Sequence, residues 1–169
     1  MPVSLLVRLA SHLDLGQLHP LIERGYRGDS ARLGWTHEAD LVEGDRTDIA
    51  TLQAIIDDPA QRLLVALEGD RVIGCVVIAH RGGGLAYLGM LCVDPVLQSA
   101  GIGRKLVSAA EEMARESFRA RTIEMTVIEN RTELIAWYRR QDYAPSGESR
   151  DFPVPLDPPL FMTVLVKPL

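Results

Sequence analysis

The residues with the most chemical content lie between Leu88 and Leu106. An apolar run ends at Val93-Asp94-Pro95, and Gln98-Ser99-Ala100-Gly101-Ile102-Gly103 then leads into an amphipathic segment that opens with Arg104 and Lys105. Successive backbone N–H groups at a helix start, beside glycines that let a ligand come close, form an anion site. The helix dipole adds about half a positive charge at the same end. First helical turns usually favour acidic residues, so two cations here point to phosphate. The glycines are also compatible with a plain turn. A Rossmann loop would need a third glycine where Leu106 stands, and a Walker A loop would need Gly-Lys-Ser/Thr; neither is present.

Other chemistries find little support. The two cysteines, Cys75 and Cys92, each sit in an apolar stretch and form no disulfide framework. With four scattered histidines (His12, His19, His37 and His80) there is no zinc-type spacing, so no metal is expected. Lys plus Arg number 18 against 23 Asp plus Glu, a net charge of −5, which argues against nucleic acid as a partner. No apolar run approaches the roughly 20 residues that span a bilayer, and Arg8 interrupts the apolar N-terminus, so neither a membrane partner nor a signal peptide is expected. A reducing, cytoplasmic location fits this cysteine usage.

The elements that must hold the loop follow from periodicity. At 169 residues, 47% hydrophobic and 24% charged, residues 1–169 read as one folded domain. Val3–Ala10 reads as a strand, and Ser11 with Asp14 approximates a capping box before a helix through Leu15, Leu18, Leu21 and Ile22. A loop from Tyr26 to Trp35 precedes a helical turn near Glu38–Val42 and a helix over Asp48–Asp57. Arg62–Leu67, Arg71–His80 and Leu85–Val93 are strand-like, the second apolar on both faces as in a central strand. Gly101 to about Glu116 is helical, and Thr122–Ile128 alternates as a half-buried strand with Glu124 on its polar side. Asn130 with Glu133 signals a cap for a helix through Leu134, Trp137 and Tyr138. Tyr143 opens a last hairpin whose loop holds Pro145, Pro153, Pro155, Pro158 and Pro159. The order βααβββαβαββ predicts an α/β fold with a mixed, mostly antiparallel central sheet flanked by helices.

Gln98-x-x-Gly101-x-Gly103 after a strand ending in Val-x-Pro resembles the pyrophosphate loop of the GCN5-related N-acetyltransferases (the GNAT family). The resemblance covers essentially the whole chain and extends to Asn130, the Trp137-Tyr138 pair and Asp142-Tyr143. Asp142 stands where the family usually has glycine, a tolerable change because Asp accepts left-handed geometry better than most residues.

This resemblance implies an acetyl-CoA-dependent N-acetyltransferase that moves the acetyl group directly to a primary amine. The backbone of Leu91, Cys92 and Val93 would pair with the pantetheine arm. The amides of Gln98, Ser99, Ala100, Gly101, Ile102, Gly103 and Arg104 would hold the pyrophosphate. Asn130 would approach the pantetheine or phosphates, or serve as a helix cap. Tyr138 would protonate the departing thiolate, a role that suits a phenol of pKa about 10. A free alkyl amine is neutral only about once in 2,500 molecules at pH 7, so a base is useful. The strand before the loop, Ala86-Tyr87-Leu88, offers no carboxylate, which leaves Glu124 as the nearest candidate beside the alternative of a solvent-facing residue. Tyr26, Trp35, Glu38 and Arg46 lie where the family reads its acceptor; Glu38 and Arg46 equally suit a local ion pair. A small-molecule amine is the expected partner. A protein N-terminal or lysine acceptor, and a non-catalytic acyl-CoA-binding module, are the alternatives. One sequence shows no interface, so a homodimer stays open.

Overall fold

The computed structural model describes residues 4–26, 47–97, 100–153 and 155–169. Of the residues singled out above, Trp35, Glu38, Arg46, Gln98 and Ser99 lie outside that set, as does the turn expected near Glu38–Val42. The expected element order is found: β1 (Leu5–Leu9), α1 (Leu15–Tyr26), α2 (Ile49–Asp57), β2 (Gln61–Glu68), β3 (Arg71–Gly82), β4 (Leu85–Val93), α3 (Ile102–Phe118), β5 (Thr122–Ile128), α4 (Thr132–Arg139), β6 (Ala144–Asp151) and β7 (Phe161–Pro168). Among the described residues no helix is long and apolar enough to cross a membrane.

The strands form one seven-stranded sheet in the order β1-β2-β3-β4-β5-β7-β6. Every junction is antiparallel except β4 with β5. Because alternate residues face opposite sides of a strand, the sheet buries two apolar layers. On one side Val76, Ile78 and Leu88 pack with Leu106, Val107 and Ala110 of α3 and Met125 of β5. On the other, Val65, Cys75, Val77 and Cys92 pack with Leu18, Leu21 and Ile22 of α1 and Leu52 of α2.

Side-chain caps set the helix starts on this second side. Ser11 and Asp14 form the capping box, Asp14 accepting from the Ser11 amide at 2.8 Å and from Arg8 at 2.8 Å. Asp48 caps α2 through the Thr51 amide at 2.7 Å. Asn130, by contrast, is exposed in the turn before α4, and Arg131 occupies the N-cap position without a side-chain cap bond. Pro145 is also displaced from its expected place, lying in β6 rather than in the hairpin loop. As a sheet edge with a register shift between Pro145 and Ser149, β6 tolerates a residue that cannot donate. Asp142 adopts φ 72°, the left-handed geometry expected of it.

One close approach ties α1 to β4. A Cβ on Gly25 would stand 2.2 Å from Cys92 Sγ, which itself lies 3.6 Å from the Leu21 carbonyl oxygen. Gly25→Ala is expected to lose about 1–3 kcal/mol by overpacking. Thermal melting checks this, and Gly25→Ala/Cys92→Ala should melt above Gly25→Ala alone because the colliding sulfur is gone.

Candidate active site

The site is built where β4 and β5 part. They pair only at Leu85–Thr122, Ala86–Ile123 and Tyr87–Glu124; beyond that β4 continues against β3 and β5 against β7. β4 also bulges, since Gly89 and Cys92 face Val77 and Cys75, one more residue on β4 than on β3. Met90 in the bulge has φ 52°. The offset leaves Leu91 and Val93 on the wall of a cleft and turns Cys92 into the α1 layer. Tyr26, the last residue of α1, donates its hydroxyl to the Leu91 carbonyl on the same wall.

The start of α3 forms one end of the cleft. Asp94, 3% exposed, accepts from Arg71 at 2.8 Å, lies 3.6 Å from Arg24, and takes the Val96 amide at 3.3 Å. These contacts hold the short 3-10 turn Pro95–Leu97 that carries the chain away from β4. Gly101 is the N-cap of α3 at φ 82°, with no side-chain cap bond, and the first turn contains no acidic residue. Among the described residues no side chain accepts from the amides at this end, and Arg104 adds a cation on the cleft wall. Gly103 has a different reason to be glycine. A Cβ there would meet the Trp137 ring at 3.2 Å, so its absence lets α4 pack onto the first turn of α3.

Tyr138 occupies the other wall, 5% exposed, with Trp137 and Arg131 lining the same cleft of about 770 Å³. Its ring meets Trp137 edge-on at 4.9 Å and Tyr143 at 5.8 Å. Burial raises the Tyr138 hydroxyl well above the ordinary phenol pKa, and the Arg131 charge works against that shift. The hydroxyl therefore stays protonated throughout the neutral range.

Glu124 is brought elsewhere. It lies on the face of β5 opposite Met125, 9% exposed, and both carboxylate oxygens take bonds from Arg150 at 3.2 and 3.4 Å. The strand expected to be half-buried is thus covered at Glu124 too. Asn130 does not line the cleft; its neighbour Arg131 does, with Arg140 at the far end of α4. The one signal for Arg131 was its place beside Asn130 at a helix start. Both cysteines are buried, and the hydrogen bond to Cys75 together with burial pushes the Cys92 thiol up, away from the low-pKa setting of an acyl carrier. Among the described residues no three potential ligands gather to hold a metal.

A strand pair that parts beside a helix start, with a phenol opposite, is the arrangement that the GNAT resemblance implies. The profile of the family described as "Acetyltransferase (GNAT) family" matches residues 29–143. A protein from Azospirillum brasilense named IAA acetyltransferase is 33% identical over 109 residues, covering 64% of this chain and 70% of that protein. The yncA structure from Salmonella typhimurium with its cofactor acetyl-CoA superposes at TM-score 0.75, with 16% identity, over 98% of this chain and 94% of that one. A ribosomal-protein-alanine N-acetyltransferase from Brucella melitensis superposes at 0.75, with 19% identity, over 97% and 99%. The chain belongs to the GNAT family and is an acetyl-CoA-dependent N-acetyltransferase.

Proposed function

We propose that the protein transfers the acetyl group of acetyl-CoA directly to the primary amine of a small molecule. The observation that carries this reading is that the start of α3 and Tyr138 line one cleft. Its volume, about 770 Å³, suits a cofactor arm with a compact acceptor.

The residues present fit the cofactor. Beyond Tyr87 β4 no longer pairs with β5, which supports pairing of the Leu91, Cys92 and Val93 backbone with the pantetheine arm, the Leu91 carbonyl being shared with the Tyr26 hydroxyl. The open space around Gly101, where a Cβ would meet nothing within 4 Å, supports amide contacts to the pyrophosphate from Ala100 to Arg104, together with Gln98 and Ser99. Tyr26 and the segment bearing Trp35, Glu38 and Arg46 would meet the acceptor.

When bound, acetyl-CoA supplies a thioester whose carbonyl carbon accepts the amine nitrogen and whose sulfur departs. Two protons move. The ammonium gives one to water, leaving a neutral nucleophile, since Glu124, expected as the base, is held by Arg150 away from the cleft. Tyr138 donates its hydroxyl proton to the departing sulfur and is restored by the second proton, which nitrogen sheds as the C–N bond forms and the C–S bond breaks. No covalent enzyme intermediate is needed, because both reactants meet in one cleft.

The test is acetyl-CoA consumption followed with and without amines, using a panel of small primary amines and a peptide with a free N-terminus. Thiol release that depends on a small amine is expected. Release only with the peptide would move the acceptor to protein. Binding of acetyl-CoA with no amine-dependent release would establish a sensing module instead.

A further inference from the structure

The chain carries a net charge of −5, yet among the described residues the cleft is lined by three arginines, Arg104, Arg131 and Arg140, against one carboxylate, Glu133. Glu133 is exposed. Arg104 stands at the start of α3, beside the amides proposed to hold the pyrophosphate. Arg140 follows the far end of α4 and is exposed. Arg131 is half-buried at the near end, about 13 Å from Arg140 along the helix axis. Tyr138 follows Arg131 by seven residues, two turns of helix, so the two share a face with Leu134 between them. Side chains of a helix lean toward its start, which carries the Tyr138 hydroxyl back toward Arg131. The Arg131 charge accordingly acts on that hydroxyl, opposing the rise that burial imposes. Tyr87 acts on it too, and Tyr87 belongs to the last register pair before β4 and β5 part. Arg131 is thus the arginine placed at the Tyr138 end of the cleft.

Acetyl-CoA bears its charges on phosphates, whereas its pantetheine arm and thioester are neutral. A guanidinium on the same wall as the group that meets the thioester sulfur has no anion of the donor to bind, so the anion it suits comes with the acceptor. We propose that the acceptor is an amino acid, a primary amine that also carries a carboxylate, and that Arg131 binds this carboxylate. The proposal rests on the amine-acetylation reading above. A guanidinium offers five donors in a planar fork, so it takes a carboxylate through two parallel bonds while its remaining donors serve the protein. Pairing also cancels the repulsion that a guanidinium exerts on an incoming ammonium, so an amine without an anionic group is disfavoured.

The experiment compares α-, β- and γ-amino acids with their carboxamides, which keep the amine and lose the charge, rates being taken per neutral amine. The unsubstituted protein, Arg131→Gln and Arg131→Lys are assayed by steady-state kinetics beside melting temperature and acetyl-CoA affinity. In the unsubstituted protein kcat/KM for the best amino acid should exceed that for its carboxamide about 10–10²-fold. Arg131→Gln should bring the two within about 3-fold of each other by loss on the acid, and Arg131→Lys should recover part of the preference. Acetyl-CoA affinity should stay within about 2-fold in both variants. Carboxamides used as well as the acids by the unsubstituted protein would overturn the proposal, with no variant needed to see it. An equal loss on acid and carboxamide in Arg131→Gln would overturn it too, and would place the charge in chemistry common to all acceptors. A loss of acetyl-CoA affinity of about 10-fold or more would assign Arg131 to the cofactor instead. If acetyl-CoA binds and neither acids nor carboxamides release thiol, the amine-acetylation reading itself falls and takes this inference with it.

Discussion

Tyr138→Phe is expected to lower kcat by about 10²–10⁴-fold while leaving acetyl-CoA affinity within about 2-fold. The substitution removes one oxygen and keeps the ring that packs edge-on against Trp137 and Tyr143, so the wall of the cleft should survive. What is lost, on the proposed mechanism, is the proton for the departing sulfur. Burial keeps that proton on the phenol far beyond neutrality, so the unsubstituted protein should show no alkaline decline in kcat from Tyr138 below about pH 10. Acetyl-CoA binding by calorimetry and amine-dependent thiol release measure the two halves separately. Unchanged turnover would remove Tyr138 from the chemistry.

The largest loss of stability is expected from Glu111→Ala. Glu111 is 7% exposed in α3 and takes the Lys167 ammonium at 2.9 and 3.1 Å and the Tyr143 hydroxyl at 2.9 Å. Lys167 also lies 5.5 Å over the Tyr143 ring, and Tyr143 is 1% exposed. Removing the carboxylate strands a largely covered ammonium and a buried hydroxyl together, a loss of about 3–5 kcal/mol. For a chain of this size that is a fall of about 6–20 °C in melting temperature. Replacing Lys167 as well should restore part of it, since the unpaired charge is then gone. A shift below about 2 °C in Glu111→Ala would show that solvent already compensates the pair.

How far the residues announced this architecture depends on what kind of contact is asked for. The strand Thr122–Ile128 was legible to the residue because its alternation is a local property of the chain. The left-handed Asp142 was legible from the family resemblance, which has glycine at that position. Asn130 misled, because a cap is chosen by the direction from which the helix is entered, and the turn at Glu129–Asn130 delivers Arg131 to the cap position instead. Gly103 was rightly marked, but the Trp137 ring across a helix crossing is a second reason for its missing side chain that the loop motif did not announce. Glu124 was placed on the correct face, yet the covering group comes from an edge strand with Pro and Gly in it, which has no apolar rhythm to announce it. Periodicity tells which way a side chain points; it does not tell what arrives there from elsewhere in the chain.

The short pairing of β4 with β5 also has a mechanical side. Three neighbouring register pairs join strands β1–β4 to strands β5–β7, and α3 packs on β2, β3 and β4. Across the rest of the joint, the Glu111 bridge from α3 to Lys167 and Tyr143 acts as a strap between the two leaves. The line of the cleft is therefore closed at one end by backbone pairing and along the rest by side chains of the core that α3 shares with β5 and β7, so residues set back from the gap govern its width.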